Sequence, residues 1–291
     1  MAQDTCALRR AGPDDAARME AFLAQHPATS MFLRSNLAAH GTDDTEGAHG
    51  TIFFIPDTGG PVTAVFAITN HGFLMAQAPD ATPAQWAAFA AGIAGRRVKG
   101  MTGVPEQVQQ CLRATGLAEG PWNLLADEPL YHLTIADMAP MTGAVRQATT
   151  DDLPILAAWF AAYESDTGQA PPSDPPSERA MARAQAAIGT RDVVLLEEDG
   201  APVAMAGVNA RLPDIVQIGG VFTPDGLRGK GYARRALAGL LRQCEAEGVT
   251  QSVLFANNAA AAHAYEALGY TLIGQYRIAL LKDPIDIGVT G

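Results

Sequence analysis

The sequence predicts an α/β protein built from two copies of one unit, on three observations. Strand-sized apolar runs alternate with amphipathic helical stretches along the chain, the two halves present these elements in the same order, and a turn-rich stretch, Asp137–Gly143, lies between them. The expected domains are 1–140 and 141–291.

In the first half, Pro13–Gln25 and Ser30–His40 read as helices, and Thr51–Ile55 and Val62–Ile68 as strands linked by the turn signal Asp57-Thr58-Gly59-Gly60. Gly72–Ala76 is a third strand and Pro83–Gly95 a helix. A short strand at Arg97–Met101, a helix at Pro105–Thr115 and strands near Asn123–Ala126 and Tyr131–Ile135 complete the half. The second half opens with the strand-like Ala144–Ala148. A Thr150-Asp151-Asp152 cap then starts a helix with Leu153, Leu156, Ala157 and Phe160 on one side. After a Pro-rich loop, Thr167–Pro176, a second helix begins near Ser177. The extended runs Asp192–Glu197 and Pro202–Asn209 are joined by Glu198-Asp199-Gly200, and Ile215–Thr223 follows. Next come a long amphipathic helix, Tyr232–Glu247, closed by Gly248, a strand at Gln251–Phe255 and a helix at Asn258–Leu268 stopped by Gly269. A strand pair at Tyr270–Leu281 ends the series.

Composition narrows the function. With 48% hydrophobic and 18% charged residues in 291, the chain has a globular profile and room for two cores. No apolar run approaches the roughly 18–20 residues of a membrane span. The start, Met1-Ala-Gln-Asp-Thr-Cys6, lacks a secretion signal, so a cytoplasmic location is expected. A net charge of −11 opposes nucleic acid and anionic lipid as partners and is compatible with an amine ligand. Cys6, Cys111 and Cys244 are odd in number and far apart, which predicts reduced thiols rather than a disulfide framework. The histidines are isolated, so no metal is expected.

The chemistry is concentrated at Gly219-Gly-Val-Phe-Thr-Pro-Asp-Gly-Leu-Arg-Gly-Lys-Gly-Tyr-Ala233. An apolar strand ends at Val221–Thr223, turns through Pro224 and enters a glycine-rich loop that opens a helix. Glycines let the backbone approach an anion closely, and the first helical N–H groups are unpaired and lie at the positive end of the helix dipole. Arg228 and Lys230 add positive charge, with Arg234 and Arg235 one turn on. A nucleoside triphosphate loop is excluded because Gly229-Lys230 is followed by Gly231 rather than Ser or Thr. A dinucleotide fingerprint is excluded because the loop follows the third extended run, not the first.

Arg228-x-x-Gly231-x-Ala233 and, after the strand at 252–256, Asn258-x-x-Ala261-x-x-x-Tyr265-Glu-Ala-Leu-Gly-Tyr270 resemble two motifs of the GNAT superfamily of acyl-CoA-dependent N-acyltransferases. The resemblance covers about residues 143–282. It implies, for each unit, a mixed, mostly antiparallel twisted sheet flanked by helices and splayed between its fourth and fifth strands. It also implies acetyl-CoA as co-substrate. Its pantetheine arm would pair with Val221, Phe222 and Thr223, and its pyrophosphate would rest on Arg228, Gly229, Lys230, Gly231, Tyr232 and Ala233. Asn258 and Ala261 would face the cofactor, and Tyr265 would protonate the leaving thiolate. The acceptor side would involve Glu164, Asp166, Asn209 and Gln217, the first two through an acidic loop able to bind an ammonium. Gln217 cannot take a proton and Asp214 lies near the strand's start, so the general base stays open, with a water chain as one route.

The first half lacks the anion loop: Gln77-Ala-Pro-Asp-Ala-Thr-Pro83 holds no basic residue or glycine pair, and Asp80 repels phosphate. It resembles a degenerate copy in a tandem arrangement. The expected function is acetyl transfer to a primary amine of a small molecule or amino-acid-like acceptor by direct attack, by a monomer or homodimer. The alternatives are a silent acyl-CoA sensor or a peptide or protein N-acetyltransferase.

Overall fold

A computed structural model of the protein describes residues 7–288, which form two compact units. One runs to Glu128 and resumes at Gln275; the other is Pro129–Gly274. Cys6 lies outside the described residues.

The first unit contains β1 (Leu8–Arg10), β2 (Thr51–Pro56), β3 (Val65–Thr69), β4 (Phe73–Gln77), β5 (Arg97–Gly103) and the later part of β12 (Thr271–Asp286), side by side in the order β1-β2-β3-β4-β5-β12. Every pairing is antiparallel except β4 with β5. All of β3 is buried, and its period of two sends Val65 and Ala67 to one face and Phe66 and Ile68 to the other. Helices α1 (Ala16–Leu23) and α2 (Met31–His40) cover the first face with Met19, Leu23, Leu33 and Leu37. Helices α3 (Pro83–Gly92) and α4 (Pro105–Ala114) cover the second with Trp86, Phe89, Val108 and Leu112.

The second unit orders the later part of β6 (Trp122–Thr134), β11 (Gln251–Phe255), β10 (Ile215–Phe222), β9 (Ala201–Arg211), β8 (Val193–Glu198) and β7 (Val145–Gln147) in that sequence. Here β10 and β11 form the parallel pair and the rest is antiparallel. Helices α5 (Leu153–Asp166) and α6 (Glu178–Ala187) pack on one face with Leu195 and Met205. The other face, with Val194, Leu196, Val216 and Ile218, carries α7 (Tyr232–Ala246) and α8 (Ala259–Glu266). Each unit is thus a mostly antiparallel sheet between helices, and the order strand, two helices, three strands, helix, strand, helix occurs in both.

Three expectations change. The segments expected at 123–126 and 131–135 form one strand ending at Thr134, because the charged interruption between them is satisfied: Asp127 makes a two-point ion pair with Arg277, at 2.5 and 2.7 Å. Tyr270–Leu281 is not a strand pair but the start of a single strand of 16 residues. The units do not meet at one point near residue 140, since β6 leaves one unit for the other at Glu128–Pro129 and β12 returns at Gly274–Gln275.

Candidate active site

The parallel ladder between β10 and β11 runs from Ile215–Gln251 to Ile218–Leu254, while β10 continues to Phe222. Beyond that point the backbone of Gly219–Phe222 has no ladder partner in β11. The β9 side is irregular as well. Gly219 pairs with Gly207 and Phe222 with Met205, so β10 carries one extra residue there, and Gly220 takes a φ of 64°. Such a bulge breaks ladder pairing and re-aims the strand, and glycine meets its left-handed conformation without steric penalty. Thr223, just past the end of the strand, is buried with its Oγ1 lacking a hydrogen-bond partner, and Gln217 Oε1 is buried in the same condition. Strand backbone without a partner in β11 fits an extended ligand with amide groups, such as a pantetheine arm.

The loop after β10 leads into α7, whose N-cap is Gly231 at a φ of 77°; Gly229 sits at 79°. No side chain caps α7, so the first amides of this 15-residue helix are left for an anion. Lys230 lies 5.9 Å from the Tyr232 ring on one side and Arg235 the same distance on another, with Arg235 also paired to Glu198. Arg228 is more constrained than the sequence suggests. Its Nη2 bonds Asp166 at 2.5 Å, its Nη1 lies 2.9 Å from Asp225, and its Nε donates to the Thr223 carbonyl.

On the far side of the opening, Asn258 caps α8 by accepting the Ala261 amide at 2.8 Å. None of the α8 residues is fully buried; Ala261, Ala262 and Tyr265 pack against the core, the Tyr131 hydroxyl donates to Glu266, and Leu268 and Tyr270 enter the core just after the helix. Tyr265 is half-buried, packs against that core and stands 6.0 Å from the Tyr270 ring. Tyr270 is committed to Ser252 at 2.6 Å, and burial pushes its phenol well above the usual range.

The acceptor-side residues are distributed differently from expectation. The stretch 163–166 is the last turn of α5, not a loop. Glu164 is only 1% exposed, and its Oε1 meets both Arg183 Nη1 at 3.1 Å and Arg179 Nε at 3.2 Å. Asp166 is held by Arg228, so both carboxylates are already neutralised. Asn209 is exposed on β9 and its carboxamide lies over Gly219, where a Cβ would fall 1.9 Å from Nδ2. Gln217 is buried and donates to the Ile218 carbonyl. Arg179 and Arg183 went unread in the sequence; their spacing of four on one helix face is the signal that could have found them. Among the described residues, no cluster of His, Cys, Asp and Glu is placed to hold a metal.

Residues 156–270 match the family model for the acetyltransferase (GNAT) family. Over this segment, about two fifths of the chain, the protein resembles a GNAT acetyltransferase domain. Its fold is shared, over nearly all of the chain, with solved structures of low identity. A GNAT-family acetyltransferase from Colwellia psychrerythraea has 15% identity and a TM-score of 0.54, with 94% of this chain and 99% of that one covered. A Drosophila protein gives 12%, 0.61, 94% and 98%, and a GCN5-related N-acetyltransferase from Sphaerobacter thermophilus 16%, 0.53, 94% and 94%. A search of curated proteins found no match. The GNAT segment spans the opened β10–β11 pair, the glycine loop and the Asn258–Tyr270 stretch.

Proposed function

We propose that this protein transfers the acetyl group of acetyl-CoA to a primary amine of a small-molecule or amino-acid-like acceptor, in the cytoplasm. The observation that carries the reading is the junction of β10 and α7, where unpaired strand backbone, the orphaned Thr223 hydroxyl and uncapped helix amides follow one another along a single path. A CoA thioester carries its reacting carbonyl at one end, then the two amides of the pantetheine arm and then the diphosphate, so its amides and diphosphate follow one another as the strand backbone and the helix amides do. In this reading Val221, Phe222 and Thr223 hold the arm. The amides of Gly229, Lys230, Gly231, Tyr232 and Ala233 hold the diphosphate, and Arg228 turns from its carboxylates toward it. Asn258 and Ala261 set the start of α8 against the cofactor.

The amine nitrogen attacks the thioester carbon, and a strand amide near Val221 stabilises the oxyanion that forms. The C–S bond then breaks, and the Tyr265 hydroxyl gives its proton to the departing thiolate. Gln217 has no proton-accepting group at neutral pH, so the ammonium proton leaves through water. The first unit serves as a silent copy. In support, the Gln107 side chain accepts the Ala78 amide at 2.7 Å and Thr29 and Ser30 bond Gln77, filling the corresponding strand end from within.

Calorimetry with acetyl-CoA and a thiol-release assay with an amine panel test the proposal. Tyr265→Phe should lower kcat at least about 100-fold while the acetyl-CoA Kd stays within twofold. Unchanged turnover removes Tyr265 from the mechanism. Tight acetyl-CoA binding without acceptor-dependent thiol release supports the sensor reading, and absence of binding ends both.

A further inference from the structure

The acceptor side of the proposed site is dominated by guanidinium groups. Arg183 reaches from α6 across α5, its guanidinium carbon 4.6 Å from the centre of the Phe160 ring and 5.6 Å from that of Tyr163. Nη1 is fixed by the buried Glu164. Nη2 lies beside the β10 bulge, 3.9 Å from where a Gly220 Cβ would stand, and the Phe160 ring edge is 3.6 Å from the same point. Any side chain at 220 would meet both, so Arg183 borders the strand segment that presents the thioester in the reading above. Arg179 shares the Glu164 oxygen and is tied to Gln169 through Nη2. Two guanidiniums on one carboxylate leave a net positive charge, and the nearby Asp166 is spent on Arg228. A bare ammonium has no counter-ion here. A planar carboxylate does, because the flat face of Arg183 is fixed by two rings and the donors at its edge are pre-aimed.

Resting on the acyl-transfer reading, we propose that the acceptor is an α-amino acid or a close carboxylate-bearing amine, and that Arg183 is the residue that selects it by binding the carboxylate. Glu164 is a positioning residue that acts through Arg183. The carboxylate at Arg183 leaves the adjacent amine directed at the thioester carbon beside Gly220. A phosphorylated amine is the less suited anion, since its second charge would face one free guanidinium edge and the buried Glu164.

The test uses the 291-residue chain saturated with coenzyme A, titrated calorimetrically with free α-amino acids, their decarboxylated amines and glucosamine 6-phosphate. Thiol release from acetyl-CoA is measured on the same panel. At least one amino acid should bind, with kcat/KM roughly 10- to 100-fold above its decarboxylated partner. Arg183→Met should abolish that preference by raising KM for the amino acid while leaving the coenzyme A Kd within twofold, and Arg183→Lys should recover part of it. Equal use of the decarboxylated amines, preference for the phosphorylated amine, an Arg183→Met loss that falls equally on both, or coenzyme A binding with no amino acid bound overturns the proposal. Failure to bind coenzyme A is a separate result that brings down the acyl-transfer reading beneath it.

Discussion

Glu128 is a carboxyl group nine-tenths buried on β6, and burial pushes its pKa up from 4.5 to about 7. The native protein therefore holds this proton up to near neutrality, whereas the unfolded chain releases it near the ordinary value. The folded pKa is the higher one, so the contribution to stability is fully present below about pH 4.5 and is lost as pH rises through about 7. Glu128→Gln should match the wild type near pH 4.5 and exceed it at pH 8 by about 1–3 kcal/mol in denaturant titrations. Parallel stability profiles for the two proteins would remove Glu128 from the pH dependence. At this scale the sequence was legible where chemistry is local: Gly229 and Gly231 take the left-handed backbone, and Asn258 the helix cap, that their residue types favour. Long-range side-chain pairing was not legible. Glu164 was read as open to an ammonium because the spacing of Arg179 and Arg183 marks a basic helix face without saying that this face closes on Glu164.

At the scale of elements, the contact between the end of α5 and the start of the glycine loop is an exposed ion pair, Arg228 with Asp166, each side chain about half accessible. Exposed pairs contribute little to stability, but this one competes with a diphosphate for the same guanidinium. Asp166→Asn should release Arg228 and tighten coenzyme A binding by about two- to fivefold at low salt, an advantage that fades as salt screens the competing charges. Because Asp225 also touches Arg228, the double variant with Asp225→Asn should bind more tightly still. Weaker binding in both variants, measured by calorimetry at two ionic strengths, would show that the carboxylates orient Arg228 for the ligand instead of withholding it. Element positions themselves were largely readable, since hydrophobic period and caps are local signals: β11 and the α7–Gly248 stop fall where expected. The length of α5 was missed because its polar last turn, Glu164-Ser165-Asp166, carries the composition of a loop while its carboxylates are satisfied from outside the helix.

For the whole molecule, the unreadable feature was which sheet each long strand joins. Alternation fixes the faces of a strand but not its neighbour. Residues 130–134 of β6 pair with β11 in the second unit, and 277–286 of β12 pair with β5 in the first, so each unit is completed by chain from beyond the apparent boundary. A fragment cut at the turn-rich stretch, 141–291, would lose Tyr131, Leu133, Ile135 and Met138 from the core of the second unit and would carry 277–286 without their β5 partner. Losing these four buried side chains forfeits on the order of 5–10 kcal/mol, comparable with the entire stability of many domains. The fragment 129–274 keeps all four, together with β7–β11 and the glycine loop. Expressed side by side, 129–274 should give the larger soluble yield, a cooperative melt by circular dichroism and measurable heat with acetyl-CoA, whereas 141–291 should give little soluble protein. If 141–291 melts as cooperatively and binds as well, the strand 129–134 is dispensable to the second unit, and the division of the chain follows the turn after all.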